Sequence, residues 1–270
     1  MTMQQEPYDR LAGIYDHFQS DVDYDAWIEY IDGLIRRYGK RTGDGTGGRL
    51  LVCDLGCGTG IVCRGIHRLG YDVIGIDASE AMLAKSVEQS PSGEILYLRQ
   101  DITRMELFGT VDVFLCLLDT VNHITRESDL LRMFRSFANY LNPGGLFIFD
   151  TATRHHFENN LGNRFFHAVY DEYALLWQNR FAKKSGISTS DIVLFEKTGE
   201  KEELYLRREL QIREKYYDPE KVGSMLEASG MQILARFGEL TNRMPSPRGR
   251  RDFWVAARRL EPDAQTTDKE

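Results

Sequence analysis

The stretch LVCDLGCGTG, residues 51–60, reads as an apolar strand carrying an acid, Asp54, and then three glycines spaced two apart, Gly56, Gly58 and Gly60. A strand running through a glycine-rich turn into a helix opens a doubly wound α/β sheet, and ligands bind such sheets at the carboxyl ends of their strands. Glycine there admits positive φ and a close approach of ligand to backbone. A dinucleotide fingerprint is spaced G-x-G-x-x-G and places a pyrophosphate on the helix N-terminus. Here the spacing is G-x-G-x-G, with Asp54 two residues before Gly56. A carboxylate in that place repels a pyrophosphate and suits a cationic or zwitterionic ligand.

Outward from this loop the chain alternates. IVCRGIHRLG is expected as a helix with Val62, Ile66 and Leu69 inward, followed by a strand, DVIGID, and a helix, SEAMLAKSVEQS, capped by Ser79. ILYLRQD, VDVFLCLL and GLFIFD give further strands, the last two separated by the helix ESDLLRMFRSFANYL. Short strands that are apolar throughout have both faces covered by helices, the mark of a parallel sheet. Upstream, DYDAWIEYIDGLIRRYG spaces Trp27, Ile28, Ile31, Leu34 and Ile35 as a helix, and the glycine-rich KRTGDGTGGR reads as a loop.

The alternation stops after Asp150 and resumes with DPEKVGSMLEASG at Asp218. Connections in such folds are usually about 2–6 residues long, so residues 152–217 must carry their own structure. In DEYALLWQNRF, Tyr173, Leu175, Trp177, Asn179 and Phe181 fall on one face; in ELYLRRELQI, Leu204, Leu206, Leu210 and Ile212 do so after a turn at Gly199. Three or four inserted antiparallel strands are expected. MQILARFGE and RDFWVAARR supply two last strands. The expected fold is a Rossmann-like, doubly wound, mainly parallel sheet of seven strands with a small antiparallel sheet inserted. Its core is residues 1–151 and 218–260, with 1–40 as an N-terminal helical segment, 152–217 as the antiparallel insertion and 261–270 as a disordered tail.

The chain has 270 residues, 42% hydrophobic and 28% charged, with a formal net charge of −7, which argues against a general nucleic-acid binder. No apolar run approaches a membrane span, the N-terminus MTMQQEPYDR is polar, and a cytoplasmic protein is expected. Cys53, Cys57, Cys63 and Cys116 form no CxxC pair and read as reduced core thiols. His155–His156 reads as extended chain, where neighbours face opposite ways, and no nearby Cys or spaced His completes a set, so no metal site is expected. NRMPSPRGRRDFWVAARR carries six arginines and one acid, read as a solvated loop before the last strand or, alternatively, a phosphate contact.

DLGCGTG, with Asp77 closing the second strand, resembles the class I methyltransferases that use S-adenosylmethionine. YDRLAGIYDHFQSDVDYDAWIEYI resembles the N-terminal signature of one bacterial subgroup, LLDTVNHI resembles its segment after the fourth strand, and DASEAML, LNPGGLFIFD and RDFWVAARR extend the likeness over roughly residues 7–260. The subgroup is similar to glycine-type and amino-sugar N-methyltransferases.

The resemblance implies S-adenosyl-L-methionine as cofactor, S-adenosyl-L-homocysteine as product and no metal. Gly56, Cys57 and Gly58 would line its methionine end, Asp54 would organise the loop and the ammonium, and Asp77, followed by Ala78, would bind the ribose hydroxyls. Met82, Asp101 and Ile102 would meet the adenine. Leu118, Tyr15 and Trp27 complete the implied cofactor set, with Tyr8 beside them in the lid. His123 and Asp119 would be catalytic, Asn122, Tyr173 and Trp177 would face the acceptor, residues 1–40 would form a helical lid, and the insertion 152–217 would cover the acceptor site. Each has a plainer reading: Asp77 as a helix N-terminal acid, Met82 and the lid aromatics as core, Asp101 as a turn residue, His123 as a structural histidine. The expected function is methyl transfer by in-line displacement to nitrogen or oxygen of a small or medium organic acceptor. The alternatives are an RNA methyltransferase and a non-catalytic cofactor-binding regulator. Membrane association is not expected, and the oligomeric state is left open.

Overall fold

A computed structural model describes residues 5–39, 48–199 and 204–259; residues 40–47 of the loop expected over 40–49 and the tail expected over 261–270 lie outside them. Three helices lead: α1 (Gln5–Leu11), α2 (Tyr15–Phe18) and α3 (Tyr24–Tyr38). The alternating part follows as β1 (Leu51–Leu55), α4 (Ile61–Arg68), β2 (Asp72–Asp77), α5 (Glu80–Glu88), β3 (Leu96–Arg99), β4 (Val111–Cys116), α6 (Glu127–Tyr140) and β5 (Leu141–Ala152). Then come β6 (Phe165–Val169), β7 (Tyr173–Ala182), β8 (Ile187–Lys197), β9 (Tyr205–Lys215), α7 (Pro219–Ala228), β10 (Met231–Gly238) and β11 (Arg251–Arg258).

The main sheet has seven strands in the order β10-β11-β5-β4-β1-β2-β3, all parallel except β11, which runs antiparallel to both neighbours. The chain winds outward one way through β2 and β3 and the other way through β4 and β5. The order therefore reverses between β1 and β4, where a doubly wound sheet opens its ligand crevice. Strand alternation explains the continuous apolar runs. Cys53, Leu55, Phe114, Cys116, Phe147 and Phe149 pack on one face with Phe134 and Phe137 of α6. Val52, Val113, Leu115, Leu146 and Ile148 pack on the other with Ile31, Leu34 and Ile35 of α3 and Ile66 of α4. Leu69, expected inward, lies one residue past α4 and is exposed.

The insertion is a four-stranded antiparallel sheet, β6-β7-β8-β9, entered through a π-helical turn at His156–Leu161. His155 and His156 therefore lie on helical backbone, not the extended chain expected. The inner face of β7 is Tyr173, Leu175, Asn179 and Phe181, with Trp177 partly buried. On β9 the expected stripe holds only for Leu210 and Ile212; Leu204 and Leu206 are exposed because that end of the hairpin runs past the packed layer. Leu11 of α1 packs with Tyr173, Leu175, Ile192, Leu194 and Leu210, so the N-terminal helices are held against the inserted sheet.

Candidate active site

The loop after β1 is fixed by its backbone. Gly56, Gly58 and Gly60 all have positive φ, and the N–H groups of Gly56 and Cys57 donate to the Ile76 carbonyl at 2.7 and 3.0 Å. A Cβ on Gly56 would lie 2.6 Å from Cγ2 of Thr120, so a side chain there would have to displace Thr120. Gly58 N–H donates to Oδ2 of Asp77 at 2.9 Å, and Ser79 N–H to Oδ1 at 2.8 Å. The acid ending β2 thus holds both the glycine loop and the start of α5, where Ser79 accepts from Met82 N–H as expected of a cap.

Two adjoining hollows lie over this loop. The first is bounded by Asp54, Cys57, Thr59, Tyr24 and Leu117, the second by Tyr8, Asp77, Ala78, Ser79, Met82 and His123. Tyr15, Gly56, Gly58, Leu118 and Thr120 line both. The N-terminal helices cover them through two carboxylates. Asp9 accepts from the Ser79 hydroxyl at 2.5 Å and Ala81 N–H at 3.2 Å, and Asp16 accepts from the Thr59 hydroxyl at 2.5 Å and the Gln89 amide at 3.2 Å.

Asp54 is buried, accepts from the Cys63 thiol at 3.3 Å, and is pushed up to about 7 by burial, the thiol bond pulling down and the Asp77 charge pushing up. On the far side, Leu118 and Asp119 both have positive φ, a conformation costly for side-chain-bearing residues. Arg251 holds the second of them: its Nε donates to Asp119 Oδ1 at 3.0 Å and its Nη2 to Oδ2, while Asp150 lies at 3.4 Å and Glu239 at 3.2 Å. Burial opposes the Asp119 charge, but the Arg251 guanidinium keeps its carboxyl below the usual range. Asp150 is pushed up to about 8 by burial and by Asp119, against the pull of Arg251. His123 is largely enclosed, its Nε2 2.9 Å from the Tyr8 hydroxyl, and burial lowers it to about 4, outweighing the Asp119 charge and the Arg213 backbone.

A glycine loop at the strand-order reversal, an acid ending β2 and an antiparallel β11 beside β5 form a combination that comparison can test. The family described as "Methyltransferase domain" matches residues 52–145. A putative methyltransferase of Bacillus subtilis is 27% identical over 252 residues, 92% of this chain and 96% of that one. A crystal structure of an S-adenosylmethionine-dependent methyltransferase from Clostridium acetobutylicum superposes with a TM-score of 0.80 at 26% identity, covering 94% of this chain and 99% of that one. This chain is an S-adenosylmethionine-dependent methyltransferase with a Rossmann-like fold. An amino pentose methyltransferase from Micromonospora echinaspora, solved with S-adenosylmethionine bound, shares the fold of this methyltransferase at a TM-score of 0.68 and 16% identity, over 90% of this chain and 95% of that one.

In the methyltransferase, the hollows gather Tyr15, Asp54, Gly56, Cys57, Gly58, Asp77, Ala78, Met82, Leu118 and His123 from the expected set. Others stand elsewhere. Trp27 packs on Phe253 in the core, with the Arg251 guanidinium over its ring. Asp101 accepts from the backbone and hydroxyl of Thr103, and Ile102 is fully buried among the α6 layer. Asn122 does not face a hollow: its amide donates to the Lys215 carbonyl at 2.8 Å and accepts from Ala152 N–H at 2.9 Å. It ties together the two ends of the insertion. Tyr173 and Trp177 pack against His17 and Phe18 of the N-terminal helix α2, inside the layer between that helix and the inserted sheet. Asp119, expected to handle protons, is spent on Arg251.

Sequence reasoning passed over Tyr24, Thr120, Asp9 and Asp16, whose roles depend on partners far along the chain. Arg251 and Arg258 of the arginine-rich segment turn inward, the latter donating to the Leu141 carbonyl at 2.7 Å. Among the described residues no group of three or more His, Cys, Asp or Glu is arranged to hold a metal, and no helix is long and apolar enough to cross a membrane.

Proposed function

We propose that this methyltransferase transfers a methyl group to nitrogen or oxygen of a small or medium organic acceptor, with the cofactor in the paired hollows and the acceptor beyond His123. The observation that carries this reading is Asp54. A buried carboxylate whose donor among the described residues is a thiol, opening on a hollow and titrating near neutrality, fits an ammonium group. S-adenosylmethionine, when bound, supplies a methyl carbon on a positively charged sulfur, already activated for in-line displacement.

The chain's own residues then bind, orient and exclude water. Asp77 receives the ribose hydroxyls on the lone pairs left by Gly58 and Ser79. Gly56, Cys57 and Gly58 offer backbone to the methionine portion, with Tyr15 over it. Met82 and Ala78 cover the base, with Asp101 and Ile102 behind. The lid helices shut the hollows through Asp9 and Asp16. His123, neutral at physiological pH, aligns the acceptor.

The test is incubation with methyl-labelled cofactor and a panel of amines, amino sugars, hydroxylated aromatics and RNA. Label in a small acceptor is the expected result; label confined to RNA contradicts it.

A further inference from the structure

Three parts of the fold meet at one nitrogen beside the second hollow. Tyr8 comes from α1, His123 from the 3-10 turn Thr120–His123 after β4, and Glu214 from β9 of the inserted sheet. The Tyr8 hydroxyl lies 2.9 Å from His123 Nε2, their rings edge to face at 5.5 Å. The Glu214 carboxyl approaches the same Nε2 at 4.0 Å, and the two side chains are only 11% and 13% exposed. Strand alternation puts Glu214 in register with the inward Leu210 and Ile212. Its neighbour Lys215 is drawn away to Glu127 at 3.0 Å, and among the described residues Glu214 pairs with no lysine or arginine. An unpaired carboxylate in such a place costs stability, and so calls for a ligand.

We propose that Glu214 recognises the methyl acceptor and takes its proton, and that the acceptor presents a basic nitrogen. This rests on the reading of the adjoining hollows as the cofactor site. The groups facing Glu214 are Tyr8 of the lid, His123, and more distantly Asp119 with its partner Arg251; none supplies an unspent positive charge. An amine supplies one, and an alcohol does not. The Glu214 carboxyl is pushed up to about 8 by burial and then by the Asp119 charge, against Arg251, whereas His123 lies at about 4. Between the two, the carboxyl is the group that holds a proton at neutral pH. As the ammonium enters, the Glu214 carboxyl gives its own proton to solvent; the ammonium proton then passes to the carboxylate so formed, the freed nitrogen lone pair forms the bond to the methyl carbon, and the carbon–sulfur pair returns to sulfur. The product leaves as the methylated ammonium, and Glu214 returns its proton to solvent.

The proton count gives a test that needs no knowledge of the natural acceptor. Near pH 7 an ammonium entering beside a protonated Glu214 must release about one proton, whichever partner keeps the remaining one. The probes are benzylamine against benzyl alcohol and glucosamine against glucose, titrated into protein loaded with S-adenosylhomocysteine, in buffers of differing ionisation enthalpy. Amines should bind more tightly than their alcohols and release about one proton each. Glu214→Gln should weaken amine binding about tenfold or more and abolish the release, with S-adenosylhomocysteine affinity unchanged as the check on folding. Amines binding no better than alcohols, or a Glu214→Gln protein that keeps amine affinity and proton release, overturns the assignment. Failure of the unmodified protein to take up S-adenosylhomocysteine instead overturns the cofactor reading beneath it.

Discussion

Arg251, on the last strand, grips Asp119 at the carboxyl end of β4 although 132 residues separate them in the chain. The contact joins the antiparallel strand β11 to a backbone turn in which two consecutive side-chain-bearing residues have positive φ. The fold therefore spends a deeply set cation on holding this turn in shape.

Arg251→Met should cost about 3–5 kcal/mol of stability at neutral pH, because Asp119 and Glu239 are left without their cation. Asp119 is a carboxyl depressed in the folded state, so the stability it contributes is present above the ordinary carboxylate range and lost as pH falls through its folded value. The gap between the two proteins in urea denaturation should accordingly narrow toward strongly acidic pH. A gap independent of pH would remove Asp119 as the partner that matters.

Asp54 gives a second pH signature. Its carboxyl titrates near 7 in the free protein, and only the ionised form attracts an ammonium. Affinity for S-adenosylhomocysteine should be flat above about pH 8 and fall toward tenfold per unit below 7. Asp54→Asn should bind more weakly at pH 8 and show a flatter profile by calorimetry. The unmodified profile persisting in Asp54→Asn would mean that another group titrates.

Gly56 and Thr120 should be coupled. Gly56→Ala meets a positive φ, worth about 1–2 kcal/mol, and a Cβ 2.6 Å from the Thr120 methyl. Removing that methyl in Thr120→Ala should recover part of the loss, giving a coupling energy of about 1 kcal/mol in a double-mutant cycle. Strict additivity of the two changes would show that the loop moves as a whole to make room.

The lid latch is tested at Asp9. Asp9→Ala removes the acceptor for the Ser79 hydroxyl and Ala81 N–H, so S-adenosylhomocysteine should dissociate roughly five- to tenfold faster, as expected for about 1–1.5 kcal/mol. Stopped-flow displacement measures it. An unchanged rate would mean that the lid opens without passing through this contact.

Features governed by local periodicity were legible in the sequence. The seven strands, the cap at Ser79 and the glycine turn follow from apolar alternation and backbone preference, which act over a few residues. The placement of Trp27, Asn122, Tyr173 and Trp177 was not legible, because aromatics and amides look alike whether they face a ligand or another layer. Asn122 sits within a segment that otherwise borders the site, yet its amide closes the insertion onto β5. Arg251 and Glu214 were invisible for a related reason. Each lies on a strand whose pattern fixes only inward or outward, and the partner comes from an element more than 90 residues away.

The central claim is that the hollows between Asp54 and Asp77 hold S-adenosylmethionine. The most direct measurement is calorimetric titration of S-adenosylhomocysteine and of NAD into the unmodified protein and Asp77→Ala. S-adenosylhomocysteine should bind and NAD should not, and Asp77→Ala should weaken binding by about 1.5–3 kcal/mol, the scale of hydrogen bonds to a charged group. Binding of NAD in place of S-adenosylhomocysteine, or an affinity unchanged in Asp77→Ala, would contradict the account.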